Sequence, residues 1–217
     1  MSSASEAVST PPTRSGWVDA QLRRAILTGE FAPGEKLRAE HLAERWGVSP
    51  TPLRESLMRL AGEGFVVIEP QRGARVAPLD LAAAIEIYEL RLLLDPVALD
   101  RSIRAGGDAL VDDVRRAHAR LERRHDNMAD YFEAHRDFHL ALVAQCPNRR
   151  LVRQVEQLLD HSQRFQAIGM RTVRRGDPRA EHRELVEAVA AGDRREATRV
   201  LRAHLQATLD AVSEAAS

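Results

Sequence analysis

Residues 135–139 read HRDFH, two histidines four apart with an aspartate between them. On a helix, positions four apart lie about 40° from one another, so His135 and His139 share a face. Asp137 sits about 200° round from His135 and points elsewhere. The stretch therefore offers a pair of imidazoles, not a His-Asp-His cluster. The chain has eight histidines, and two others are spaced to join that pair. His182 and His204 are equidistant from Asp193, in the turn AGD between two helical stretches. In an antiparallel helix hairpin such residues lie level with each other, here about 15 Å from the turn. Level histidines on one hairpin, beside an i,i+4 pair on another helix, can build a metal site in a bundle. Neutral imidazoles suit zinc, nickel, copper or iron. The same spacing is equally compatible with histidines scattered over a surface.

The elements that must carry these histidines follow from the hydrophobic period. Beyond Pro78, six helical stretches are expected, at about 80–105, 108–127, 130–146, 149–171, 178–191 and 194–215. Helix punctuation separates them: AGGD at 105–108, CPN at 146–148, RGDP at 175–178 and AGD at 191–193. Connections that short predict an all-helical bundle of antiparallel neighbours.

Before Pro78 the period changes quickly. WVDAQLRRAILTGE reads as a short amphipathic helix, FAPGEKL as a turn, and AEHLAERWG as a second helix closed by Gly47. VSPTPLRESLMRLAGEG reads as a third, and FVVIEPQRGARV as two strands around a Pro/Gly turn. Three short helices and a hairpin make a winged helix-turn-helix. In the third helix Ser49 is the expected cap, Pro50 takes the first position, and Leu53, Leu57 and Leu60 form the buried stripe. Ser49, Thr51, Arg54 and Arg59 then lie off the stripe, where the start of a recognition helix meets the major groove. Arg54 suits a guanine edge or a phosphate, and Ser49 and Thr51 suit phosphate oxygens or base edges. Arg72 at the hairpin tip can reach an adjacent minor groove. The pattern alone also fits a protein-docking module with solvated arginines.

Composition limits the alternatives. The 32 basic and 32 acidic residues cancel, so binding to nucleic acid must come from local charge placement and not from a global field. One cysteine, Cys146, excludes an intrachain disulfide framework, fits a reducing cytosol and reads as a half-buried helix-end residue. No apolar run approaches the roughly 18 residues of a membrane helix. MSSASEAVSTPPTRSG lacks the apolar segment of a signal peptide and reads as a disordered tail. A soluble cytoplasmic protein is expected, with a tail over 1–14 and domains over 15–77 and 78–217.

The first domain resembles the DNA-binding domain of the GntR family of bacterial transcription regulators. The resemblance lies in G-x-x-x-P-G-x-x-L, then LAE-x-x-GVS-x-TP-x-RE-x-L-x-RL, then EG and RG-x-x-V. It implies DNA contacts from Ser49, Thr51, Arg54 and the wing pair Arg72 and Gly73. The family often has arginine where this chain has Pro50. The second domain resembles the FadR-type FCD domain, through ELRLLLDPVAL at 89–99, HRDFHLAL at 135–142, EHRELVEAV at 181–189 and AGDRREATRVLRAHL at 191–205. In that family an Asp and three His bind a divalent metal beside a pocket for a small carboxylate. His139, His182 and His204 fall on the three histidines, and His135 falls where the family usually has aspartate. That substitution leaves three outcomes: a four-His site hungry for an anion, a three-His site, or imidazoles that contact the effector directly. Arg91 stands where the domain has an arginine near its pocket, and a guanidinium fork matches a carboxylate. An i,i+4 pair with Asp95 is the competing role. Arg164, in HSQRF, is a further effector-binding candidate.

These readings converge on a mainly α protein, a winged helix-turn-helix followed by an FCD-like bundle. The expected function is a homodimeric, metabolite-responsive repressor that binds a short inverted repeat of double-stranded operator DNA. Its expected cofactor is a divalent transition metal, zinc or nickel first, and its expected effector a small organic acid. A metalloenzyme is the rival, but paired Glu-x-x-His motifs are missing: only ERRH at 122–125 has that spacing. No H-E-x-x-H, Walker loop or G-x-S-x-G is present. A metal that only stiffens the bundle is a third reading.

Overall fold

The computed structural model describes residues 14–169 and 177–216. The expected tail, apart from Arg14, lies outside them, as do the last two residues of the 149–171 helix and the first two of RGDP. The chain divides into two units, Met1–Pro78 and Leu79–Ser217.

The first unit runs α1 (Arg14–Leu27), β1 (Lys36–Leu37), α2 (Ala39–Trp46), α3 (Pro50–Gly62), β2 (Val66–Glu69) and β3 (Gly73–Val76). Its core joins Val18, Leu22 and Ile26 of α1 to Leu53, Leu57 and Leu60 of α3, with Phe65 below them. The strands form one antiparallel sheet in the order β1-β3-β2. The segment FAPGEKL is more than a turn, because Lys36 pairs with Arg75 and Leu37 with Ala74. A strand of two residues is too short to show a period of two.

Ser49 stands at the N-cap of α3, but its side chain makes no capping hydrogen bond. A cap hydroxyl accepts from the second or third helical N–H, and Pro52 at the third position has none, which leaves only that of Thr51. In the hairpin, Glu69 faces Gly73, leaving Pro70, Gln71 and Arg72 in the loop. Gln71 takes a left-handed φ of 62° and Gly73 a φ of 93°. The Arg72 N–H donates to the Glu69 carbonyl at 3.0 Å, which closes the turn.

The second unit is helical: α4 (Leu81–Leu121), α5 (Met128–Val143), α6 (Arg149–Gly169), α7 (Pro178–Ala190) and α8 (Arg194–Ala216). The two helices expected over 80–105 and 108–127 meet in α4 across a kink at Gly107, where φ is 49° and ψ −145°. A β-carbon on Gly106 would lie 2.5 Å from Leu110 Cβ and 2.9 Å from Gln145 Cβ, so only glycine lets the kink pack there. α4 ends six residues before the expected 127, and α5 begins two before the expected 130. Asn127 sets that start by accepting from the Asp130 N–H at 3.0 Å.

Pro96 sits inside α4 and has no N–H to give the Leu92 carbonyl. Arg202 of α8 donates to that carbonyl instead, at 2.8 Å. α4 packs against α5, α6, α7 and α8 around Leu99, Phe138, Leu142, Leu185 and Leu201. Cys146 is fully buried, not half-buried, because it belongs to the same apolar cluster as Leu142 and Val143. Among the described residues, no helix is long and apolar enough to cross a membrane.

Candidate metal centre and nucleic-acid interface

α5 carries His135 and His139, α7 carries His182 and α8 carries His204. The structure brings all four together, each buried. One ring nitrogen of each lies within 4.8 Å of the others. The level pair faces across its hairpin, with ring centroids of His182 and His204 4.8 Å apart, and His135 and His139 are 4.5 Å apart. Phe138 packs edge-on against His139 and His182 and closes one side. Asp137 points away and accepts from Arg120 at 2.7 Å.

The donor set fits a transition metal. Nε2 of His139 lies 3.3 Å from Nε2 of His135. Four ligands at about 2.0 Å around a tetrahedral ion stand about 3.3 Å apart, so this pair already has one edge of that figure. Two bare lone pairs at such a distance repel unless a proton or a cation lies between them. Glu181, which the sequence reading passed over, accepts from Nδ1 of His204 at 2.8 Å. That bond puts the proton on Nδ1 and leaves the Nε2 lone pair for a ligand, as carboxylate–histidine pairs do behind metals. Glu181 had a legible signal: it is about as level with His204 across the hairpin as His182 is. Burial first, then the charges of His135, His204, Arg91 and His182, hold His139 well below the ordinary histidine value of 6.5. It is therefore neutral at pH 7 with a lone pair to offer.

Arg91 makes the i,i+4 pair with Asp95. It is 2% exposed, its Nε and Nη2 lie 3.0 Å and 2.9 Å from Oδ2 of Asp95, and Nη1 donates to Ser162 at 2.8 Å. Its charge also helps to lower the pKa of His139. Burial raises the Asp95 carboxyl above the ordinary carboxylate value, and Arg91 offsets part of that shift. Arg164 is half-buried on α6, two residues past Ser162, and burial lowers its pKa.

The first unit presents the other candidate residues in the open. Ser49, Thr51, Arg54, Arg72 and Gly73 are all exposed. Arg54 and Arg72 line a groove of roughly 610 Å³ between the start of α3 and the wing. Lys36, Arg38 and Glu40 line it too, and the sequence reading singled out none of them for that role. Arg54 donates to Glu40 at 2.7 Å. Arg59 does not face the groove: it bonds Asp19 and Ser15 of α1 at 3.1 Å each and ties the two helices together.

A winged helix-turn-helix followed in the chain by a helical bundle is the build of a transcription regulator. Comparison with known families agrees: residues 15–76 match the bacterial regulatory proteins of the gntR family, and residues 86–207 match the FCD domain. The chain belongs to the GntR family and carries an FCD domain. It is 31% identical over 205 residues to the HTH-type transcriptional repressor GlaR of Escherichia coli (strain K12), covering 89% of this chain and 93% of that one. It is 32% identical over 191 residues to an uncharacterized HTH-type regulator in an unstable DNA locus of Streptomyces ambofaciens, covering 88% and 81%. Among solved structures, E. coli McbR/YncC superposes with a TM-score of 0.79 at 20% identity, covering 94% of this chain and 99% of that one. That likeness concerns the fold. The protein is a DNA-binding transcription regulator, and the metalloenzyme reading is set aside because the family and these relatives are regulators.

Proposed function

We propose that this regulator is a homodimeric repressor whose FCD domain binds a divalent transition metal, zinc or nickel, and a small organic acid. Residues 15–77 form the DNA-binding part in this reading, and residues 78–217 the effector-binding and dimerising part. Ser49, Thr51, Arg54, Arg72 and Gly73 contact a short inverted repeat of operator DNA, and a cytoplasmic location follows from that target. The observation that carries the reading is the convergence of four buried imidazoles, one of them braced by Glu181. The repressor sign is supported by the name of the relative from E. coli.

His135, His139, His182 and His204 would hold the metal. The bound cation would supply Lewis-acid attraction for an anionic ligand. The four imidazoles are neutral donors and cancel none of its charge, so an anion is the natural complement. Arg91 adds a second attraction for a carboxylate, although Asp95 and Ser162 already occupy much of its fork. Arg164 is the second basic residue assigned to the effector.

Calorimetry with a series of small carboxylates, on metal-loaded and chelated protein, tests the reading. Tighter binding with metal is expected, together with weakened operator binding when the acid is added. Equal affinity in both states would reject the sensing role. Chelation that lowers thermal stability but leaves operator and acid binding unchanged would assign the metal a purely structural role.

A further inference from the structure

Met58 of α3 is 62% exposed, more than any other large apolar side chain among the described residues of the first unit. The other side of α3 is taken up by the core, where Leu53, Ser56, Leu57 and Leu60 are buried. Around the helix axis Met58 stands about 150° from the mean direction of those four, about 20° from Thr51 and about 40° from Arg54. Thr51, Arg54 and Met58, all exposed, therefore form one ridge about 10 Å long. Arg54 and Met58 also line the groove that Arg72 of the wing borders. Arg59, next to Met58 in the chain, is held by Asp19 and Ser15 of α1. A single exposed methionine is ordinary on a protein surface. This one continues the row of side chains that a recognition helix turns to base edges.

Chemistry restricts what a methionine can do there. Its thioether donates no hydrogen bond and accepts only weakly, so a phosphate or a polar base edge gains little from it. The four bases offer the major groove one apolar feature, the C5 methyl group of thymine. Methionine is unbranched and flexible, and its end can seat on such a group. Glu55, the acid of this helix, is exposed about 60° from Met58 on the far side from Arg54. A carboxylate repels a phosphate but accepts from a cytosine amino group, so this side of the ridge suits base edges better than backbone. We propose that Met58 is a specificity-determining residue, which selects a thymine in each half-site of the operator by covering its methyl group. The proposal rests on the reading above that the start of α3 meets the major groove, and it deepens that reading by naming a base. No phosphate takes part, so the contact adds to sequence preference and not to salt dependence.

Duplexes selected from a random-sequence pool by the full-length wild type supply the probe. A thymine is expected at one fixed position of each half-site, and Met58→Ala should lose that preference while keeping those at neighbouring positions. Deoxyuridine at that position then removes the methyl group and nothing else. The wild type should bind the uracil duplex about three- to fivefold more weakly for each half-site changed, the worth of burying one methyl group. Met58→Ala should bind both duplexes equally, with the salt slope of the wild type, and Met58→Leu should keep the discrimination. Neither replacement touches the core, because Met58 is exposed. Arg54→Ala tests the groove reading by itself and should weaken binding to both duplexes alike. A wild type indifferent to uracil, or a thymine preference that survives Met58→Ala, would overturn the proposal. The groove reading would still stand if Arg54→Ala weakened binding. Unchanged affinity in both Arg54→Ala and Met58→Ala would overturn the two together.

Discussion

Arg54 and Arg91 each face a carboxylate at nearly the same distance, 2.7 Å to Glu40 and 2.9 Å to Asp95. The side chain of Arg54 is 60% exposed, that of Arg91 2%. Exposure alone makes them different devices. An exposed pair contributes about 0–1 kcal/mol, so Arg54 can exchange Glu40 for a phosphate or a base at little cost. In the buried pair, the loss of one partner strands a charge in a medium that solvates it poorly, at about 3–5 kcal/mol. Arg54 is thus exchangeable, while Arg91 is fixed by packing. Surface charge suits a partner that must be bound and released, and buried charge suits a pocket that must hold its shape.

The sharpest test of that contrast is the buried pair. Arg91→Met should lower unfolding free energy by about 3–5 kcal/mol, read from urea denaturation. The defect should shrink in acid. Asp95 is already held above its ordinary value by burial, and without Arg91 its folded pKa rises further. A group with a raised folded pKa gives stability that is present below its unfolded pKa and lost as pH rises through the folded value. Adding Asp95→Leu should recover most of the loss, because no charge is then stranded. A single-variant loss under about 1 kcal/mol would mean that water reaches Asp95, and the contrast with Arg54 would fail.

The matching test in the first unit moves function and leaves stability alone. Arg54→Ala should weaken operator binding by about 1–3 kcal/mol at fixed salt. Its unfolding midpoint should stay close to wild type, because the lost pair is exposed. Unchanged affinity in a gel-shift titration would remove Arg54 from the interface.

Legibility in the sequence follows the same division. Periodicity showed the stripe Leu53, Leu57 and Leu60, since burial on one helix face leaves a local record. The level placement of His182 and His204 was also readable, because a three-residue turn fixes the register of its hairpin. Contacts between distant segments left no such record. Arg202 serves a carbonyl that Pro96 leaves without its usual donor, and Arg59 turns back to α1. Gly106 and Gly107 read as a stop, yet α4 continues through them because the close approach of Gln145 rewards a kink. The capping role of Ser49 fails although its neighbours are in plain view: Pro52, at the third helical position, has no N–H to offer the cap.

A pH titration of the chelated protein probes the histidine cluster at a smaller scale. The unfolded chain takes a proton on His139 near 6.5, while the folded chain resists until well below that value. The unfolded state therefore binds more protons over that interval. The sign follows: stability is complete above pH 6.5 and falls as pH drops, by up to about 1.4 kcal/mol per pH unit for one group. His139→Gln should flatten the slope between pH 7.5 and 5.5. A slope that survives the substitution would assign it to other groups.

The smallest expected effect concerns Glu40, the acid that holds Arg54 in the groove. If Arg54 contacts DNA, it must first leave Glu40, and an exposed pair of this kind resists by about 0–1 kcal/mol. Glu40→Gln removes that resistance and also removes a negative charge from a surface facing phosphates. Operator affinity should rise about two- to fivefold, with the unfolding midpoint changed by no more than about 0.5 kcal/mol. The two contributions separate in a double-mutant cycle. In an Arg54→Ala background only the charge effect remains, so the gain from Glu40→Gln should fall and should vanish at high salt. An equal gain in both backgrounds would show that Glu40 acts on the phosphates alone and does not restrain Arg54. A loss of affinity would show that Glu40 presents Arg54 to the DNA, which would make the exposed pair a fixed device like the buried one.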